Sequence, residues 1–428
     1  MRTPVIPVLL AAVLAVSAAA PLHAQTDSAL VRRALRLHRA VPMVDGHNDL
    51  AETVVGEYGS SWDSANIGHA MPGLMTDIAR LRSGAVGAQF WSVYMSPGAA
   101  ARRGGLHLAL EQFDLIRQME QRWPDVFERA STAADIERIH RHHRIASLIG
   151  VEGGHVMENS LGILRELYAL GARYMTLTWN NGLPWADSNI DTVRANGLSP
   201  FGREVIHEMN RLGMLIDLAH VSDSVMVQAM RISEAPVIFS HSSARALTNV
   251  PRNVPDSILR LVRANGGIVM VNFYCGFLDS ARARYDDAES ARLREIRTQF
   301  GADTAGMRAA VRAWRSANPV PPPPPLSVAA DHIDHIRQVA GIDHVGYGSD
   351  FDGVDCTPQG LQDVSTFPLL TAELLRRGYS DADAKKVIGQ NLLRVMRQVE
   401  RVAARLQKAH GPSTATLAQL DSAATRSR

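Results

Sequence analysis

Residues Met43–Leu50 read Met-Val-Asp-Gly-His-Asn-Asp-Leu, an apolar entry leading into His47 and Asp49. On a β-strand, residues two apart project to the same side, so an imidazole and a carboxylate at this spacing can grip one cation together. The chain carries its own control: His332-Ile333-Asp334 repeats the His-x-Asp spacing inside a helical pattern. On a helix, residues i and i+2 diverge, so this second copy is not expected to bind metal. Other apolar runs end in ligand-type residues as the first one does. Ala146–Val151 leads into Glu152 and a Gly-rich turn, Met214–Ala219 into His220, Pro236–Ser240 into His241, and Val345–Ser349 into Asp350. A carboxylate or imidazole at a strand end is a poor choice for packing. Five such ends together are what a metal centre requires.

Their placement calls for a particular scaffold. Short apolar runs also occur at Val86–Met95, Tyr174–Trp179 and Ile268–Tyr274, which brings their number to eight. Amphipathic stretches separate them, such as Gly202–Leu212, Ser222–Ile232 and Pro255–Ala264. Eight strands alternating with helices predict an α/β chain folded as a closed (β/α)8 barrel, with an open doubly wound sheet as the other arrangement. In a barrel the carboxyl ends of all strands meet on one face, where active sites are built.

Three histidines and two carboxylates exceed what one tetrahedral zinc takes and suit two ions sharing a carboxylate. Such a pair can hold a bridging hydroxide at neutral pH and polarise a carbonyl beside it. Asp350 would then be left to move protons. Arg252 lies in Pro251-Arg252-Asn253-Val254-Pro255, a loop stiffened by two prolines. A fixed guanidinium there is suited to bidentate recognition of a carboxylate, although a surface arginine would read the same way.

The runs VDGHNDL, GVEGGH, LAHVS, SHSSARAL with RNVPD, and GSDFDGV, with QFWSVY and VNFY between them, resemble the membrane (renal) dipeptidase family of zinc peptidases. Order and spacing agree from about Pro42 to Met396. The resemblance implies an amidohydrolase-type barrel holding two Zn2+ per chain. His47 and Asp49 would bind one ion, His220 and His241 the other, and Glu152 would bridge them. Asp350 would take the proton of the attacking water, hold the substrate's α-ammonium and pass a proton to the leaving amine. Arg252, with Tyr94, would hold the C-terminal carboxylate, so that only dipeptides with free termini fit. Members often accept a C-terminal D-residue and tend to form homodimers. One position departs: the family's TLTH segment reads Thr176-Leu177-Thr178-Trp179 here, and an indole offers one donor and no imidazole contact.

Composition narrows the remaining choices. The 428 residues are 46% hydrophobic and 21% charged, which belongs to a globular chain. Lys+Arg 45 against Asp+Glu 43 gives a net charge of +2, no field for nucleic acid. Two cysteines, Cys275 and Cys356, exclude a disulfide scaffold and leave open whether they pair. Arg2, the apolar run Val5–Ala20 and the small residue Ala24 read as a signal peptide over residues 1–24, hence an exported protein without a stable membrane anchor. The barrel is then expected over 25–408. Within it, an inserted helical and Pro-rich excursion at about 279–325 is either a lid or a solvated surface feature. A polar tail at 409–428 is expected to be disordered. His140, His142 and His143 read as a solvated basic patch, and His155 as a loop residue near Glu152. A binuclear hydrolase of lactones, cyclic amides or phosphotriesters would more often open with His-x-His, and a non-catalytic binding protein would have a broken ligand set.

Overall fold

The computed structural model describes residues 22–426 of the chain. The expected leader lies outside the described residues except for its last three, which open the helix Leu22–Ala40. Nine parallel strands follow: β1 (Met43–Asn48), β2 (Val86–Tyr94), β3 (Phe127–Arg129), β4 (Ile145–Glu152), β5 (Ala172–Thr176), β6 (Leu215–Asp217), β7 (Ile238–Phe239), β8 (Ile268–Val271) and β9 (Val345–Tyr347). Eight of them close a barrel in the order β1-β2-β4-β5-β6-β7-β8-β9, with the β2–β4 and β9–β1 pairings completing the ring. The short β3 is an addition that sequence pattern does not predict; it pairs with the first residues of β4.

The strands read as nearly continuous apolar runs because both faces are covered, by barrel filling inside and helices outside. β1, β4 and β8 are buried throughout. The helices form where the sequence supplies both face and stops. In Pro200–Leu212, Ser199 accepts a hydrogen bond from the Gly202 N–H and Pro200 takes the first turn. Phe201, Val205, Ile206, Met209 and Leu212 then line the buried face, and Gly213 ends the helix in a left-handed conformation at φ 87°. Among the described residues, no helix is long and apolar enough to cross a membrane.

Two excursions depart from or extend this plan. The insert between β8 and β9 comprises the helices Ser280–Phe300 and Thr304–Ala317, the latter burying no residue. After it, the Pro-rich run is pinned where Gln359 N–H donates to the Pro324 carbonyl at 2.8 Å. The tail, expected to be disordered, instead carries a helix at Leu417–Arg426. Asp421 accepts from Ser199 Oγ at 2.8 Å and from the Phe201 N–H at 3.0 Å, tying the tail to the start of Pro200–Leu212. A carboxylate at a helix N-terminus meets unsatisfied donors there, and nothing in a short polar tail marks that partner in advance.

Candidate metal centre

Each proposed ligand arrives by a short piece of backbone that leaves the barrel at its carboxyl face. His47 is on β1 and Glu152 is the last residue of β4. Asp49 lies just past β1 as the N-cap of the helix Leu50–Glu57, yet its carboxylate caps nothing. An N-cap aspartate ordinarily contributes about 1 kcal/mol by that bond; here the side chain is turned to His47, 3.4 Å from Nε2. His220 stands three residues beyond β6, His241 two beyond β7, and Asp350 three beyond β9. His220 and Asp350 hold left-handed φ values of 68° and 65°. For non-glycine residues such conformations cost on the order of 1–3 kcal/mol, and they collect where function demands a side-chain direction.

The carboxylate of Glu152 sits at the middle. Its Oε1 is 2.8 Å from His220 Nε2 and 3.5 Å from His241 Nε2, and its Oε2 is 3.6 Å from His47 Nε2. The two oxygens therefore face different histidines. Three overlapping sets of ligand atoms lie within 4.8 Å of one another: His47, Asp49 and Glu152; Glu152, His220 and His241; and His47, His241 and Asp350. His220 Nε2 and His241 Nε2 approach to 3.0 Å, both aimed at one point. The far nitrogens fix that aim: His220 Nδ1 meets Asn180 Oδ1 at 2.9 Å, His241 Nδ1 meets Ser240 Oγ at 2.7 Å, and His47 Nδ1 meets the Tyr174 hydroxyl at 2.7 Å. Partners of this kind set the tautomer that leaves Nε2 free for a metal. His47 Nε2 and Asp49 Oδ1 are buried without a hydrogen-bond partner, a costly state that a bound cation would relieve.

Electrostatics at two of the three histidines point the same way. Burial depresses His220 to about 4 and His241 well below the ordinary imidazole range, with Arg252 adding to both effects and His47 to the second. Neutral imidazoles are what metal binding needs. Burial opposes charge on His47, but Tyr174, Asp49 and Glu152 outweigh it and favour a positive charge there. Burial would raise Glu152; His47, with the hydrogen bonds of His220 and His241, holds it well below the carboxylate range. Asp350 is pushed up to about 7 by burial, with Asp49 and Glu152 adding to the rise, while Asn272 Nδ2 donates to its Oδ2 at 2.7 Å.

A cavity of about 370 Å3 opens over this cluster, lined by Asp49, Glu52, Tyr94, Glu152, Trp179, Asn180, His220, His241, Arg252, Tyr274, Phe277, Asp350 and residues 353–355. Arg252 is buried, and among the described residues its guanidinium donates only to Ser242 Oγ at 3.3 Å and the His241 carbonyl at 3.1 Å. Its Nε has no partner among the described residues, and the Phe277 ring lies 5.1 Å from the guanidinium carbon. Burial lowers Arg252 to about 10, so it stays charged at neutral pH without a carboxylate bonded to it. The prolines are not what chiefly holds its loop: Asn253 accepts from Ser243 N–H and donates to the Thr248 and Phe277 carbonyls. Trp179 sits between Tyr94, 5.0 Å away by ring centroid, and His220, 6.1 Å away. It supplies an aromatic wall at the position where the resemblance implies an imidazole.

Sequence reasoning missed Glu52, Tyr174, Asn180, Ser240 and Asn272, which line or brace the site. Asn180 directly follows Trp179 at a strand exit and could have been flagged; Tyr174 lies in an apolar run and gave no sign. Cys275 and Cys356 form a disulfide that ties the loop after β8 to the loop after β9 at the cavity rim. His332, by contrast, is buried among backbone groups: Nδ1 accepts from Ala244 N–H at 3.0 Å and Nε2 meets the Leu278 carbonyl at 3.1 Å. His155 Nε2 meets the Met95 carbonyl at 3.1 Å and joins none of the convergent sets.

Comparison with known proteins agrees with this geometry. The sequence profile of the membrane dipeptidase family, peptidase family M19, matches residues 31–410. Dipeptidase 3 of Mus musculus is 41% identical over 382 residues, covering 88% of this chain and 68% of that protein. Dipeptidase verJ of Clonostachys rogersoniana is 39% identical over 391 residues, covering 88% and 89%. In fold, a probable dipeptidase, PvdM, from Pseudomonas aeruginosa superposes with a TM-score of 0.74 at 23% identity, over 88% of this chain and 100% of that one. A metallopeptidase from Rhodobacter sphaeroides, solved with a phosphinate mimic of L-Ala-D-Ala, gives 0.67 at 23% identity, over 84% and 99%. With profile, relatives and barrel in agreement, the chain belongs to the membrane dipeptidase family of metallopeptidases, peptidase family M19.

Proposed function

We propose that the chain is an exported zinc dipeptidase that hydrolyses dipeptides with free termini, C-terminal D-residues included. The observation that carries this reading is a buried, uncompensated Arg252 lining the same small cavity as a centre of two histidine–carboxylate groups. His47 and Asp49 would hold one zinc ion, His220 and His241 a second, with one oxygen of Glu152 turned to each side. Bound there, the ions would supply Lewis acidity, acidifying water and polarising a carbonyl.

The protein's own groups do the rest. Arg252, with the Tyr94 hydroxyl across the cavity, takes the substrate carboxylate; the missing counter-ion makes the position selective for an anion. Asp350, held by Asn272 and raised toward neutrality, can accept a proton from water and return it to the leaving amine. In its ionised form it pairs with the α-ammonium. A site that reads both termini across one peptide bond leaves no room for a longer chain. The L-Ala-D-Ala mimic bound by the Rhodobacter sphaeroides relative is the reason to include D-residues. The Cys275–Cys356 disulfide supports export, since such bonds persist in oxidising compartments.

The test is metal analysis of purified protein together with a dipeptide panel with L- and D-configured C-termini. Close to two zinc per chain and hydrolysis of dipeptides, but not of tripeptides or N-acetylated dipeptides, is the expected result. Metal-replete protein that leaves the whole panel intact would remove the peptidase reading.

A further inference from the structure

The cavity holds two acidic groups that the reaction does not use, Glu52 and Asp355. Glu52 lies on the helix Leu50–Glu57, one turn beyond Asp49, and lines the cavity. It belongs to none of the convergent ligand sets. Among the described residues, no side chain bonds or pairs with it. The other rim carboxylate is different: Asp355 receives two hydrogen bonds at 3.0 Å from Arg282 of the inserted helix and is already compensated. A half-buried carboxylate left without a partner in a binding cavity is a group waiting for a donor from the ligand.

Its position says which part of the ligand. Glu52 follows β1 and Arg252 follows β7, three strands apart in a ring of eight. Burial first, then the nearby carboxylates of Asp49, Glu152 and Asp350, disfavour charge on Glu52, while the carboxylates that act on Arg252 are those of Asp350, Glu152 and Asp217. With the substrate carboxylate on Arg252 and the α-ammonium on Asp350, the side chain of the N-terminal residue is the part that extends toward Glu52.

We propose that Glu52 is a specificity-determining residue that selects dipeptides whose N-terminal side chain is cationic, lysine or arginine. The inference rests on the dipeptidase reading and deepens it. Burial and the neighbouring carboxylates push Glu52 up to about 8; a cationic side chain against it favours the ionised form, whereas an N-terminal aspartate or glutamate adds one more negative charge to a carboxylate cluster, so discrimination has both an attractive and a repulsive element.

The experiment compares kcat/KM for Lys-Ala, Arg-Ala, Leu-Ala and Glu-Ala with the zinc-loaded protein and its Glu52→Gln and Glu52→Lys variants. The native protein should prefer Lys-Ala and Arg-Ala over Leu-Ala by about tenfold, with Glu-Ala poorest. Glu52→Gln should collapse the Lys-Ala to Leu-Ala ratio toward one, and Glu52→Lys should invert it in favour of Glu-Ala. A ratio that both variants leave unchanged, or native hydrolysis indifferent to side-chain charge, overturns the proposal while leaving the dipeptidase reading intact. Failure of the native protein on all four substrates removes both.

Discussion

The two His-x-Asp pairs show how little a spacing means without its backbone. At His47 and Asp49 a strand and the helix turn after it bring imidazole and carboxylate to 3.4 Å, with buried atoms left unbonded. At His332 and Asp334 the same spacing lies within one helix, Ser327–Ala340. There His332 turns inward to backbone groups, while Asp334 turns outward to Arg377 and Tyr379, each at 2.7 Å. In the second pair every polar group finds a protein partner, so no cation is called for. In the first, the fold leaves the lone pairs of an imidazole nitrogen and a carboxylate oxygen unused. Unsatisfied groups, not residue types, distinguish the metal centre.

The largest effect should come from Glu152, whose two oxygens serve both sides. Glu152→Gln is expected to lower kcat/KM by at least about a thousandfold and to reduce bound zinc to one per chain or less. Metal analysis and dipeptide hydrolysis check it, and a fully active variant would break the bridging assignment. Next come the paired replacements His47→Ala and His332→Ala. The first should lose metal and activity. The second should keep its zinc content but unfold more readily, by about 1–3 kcal/mol, since it strands the Ala244 N–H and leaves a cavity. Thermal unfolding beside metal analysis separates the two; loss of zinc from His332→Ala would erase the contrast.

Tyr174→Phe sharpens the comparison further. It removes the group that orients His47 and should weaken zinc binding by about 10–100-fold, read by chelator competition, with little change in fold. Gly150 supports the same contact, because a Cβ there would collide with the Tyr174 ring. Gly150→Ala should therefore reproduce the loss of affinity with added instability. The smallest effect belongs to Asp334→Asn. Its pair with Arg377 is partly exposed, and about 0–1 kcal/mol of stability is expected to go, with no change in metal.

Much of this site was legible in advance. His47, Asp49, Glu152, His220, His241 and Asp350 stand at the ends of apolar runs, and a parallel barrel must gather such ends on one face. Arg252 was visible as a charged residue in a proline-framed loop. The bracing residues were not. Tyr174 reaches His47 from across the barrel, and Asn180, Ser240 and Asn272 act through hydrogen bonds that spacing does not encode. The tail was misjudged for the same reason: Asp421 gains its partner only when the Pro200–Leu212 helix is already in place.

Sequence by itself therefore determined the barrel, the family and the set of groups able to hold metal, because periodicity and strand ends are local properties of the chain. Tertiary structure alone decided which of those groups remain unsatisfied. It turned one oxygen of Glu152 to each side, paired Cys275 with Cys356, compensated Asp355 and left Glu52 and Arg252 open to a ligand. Whether a polar group is spent within the protein or kept for a substrate depends on its neighbours in space, and these come from segments far apart in the chain.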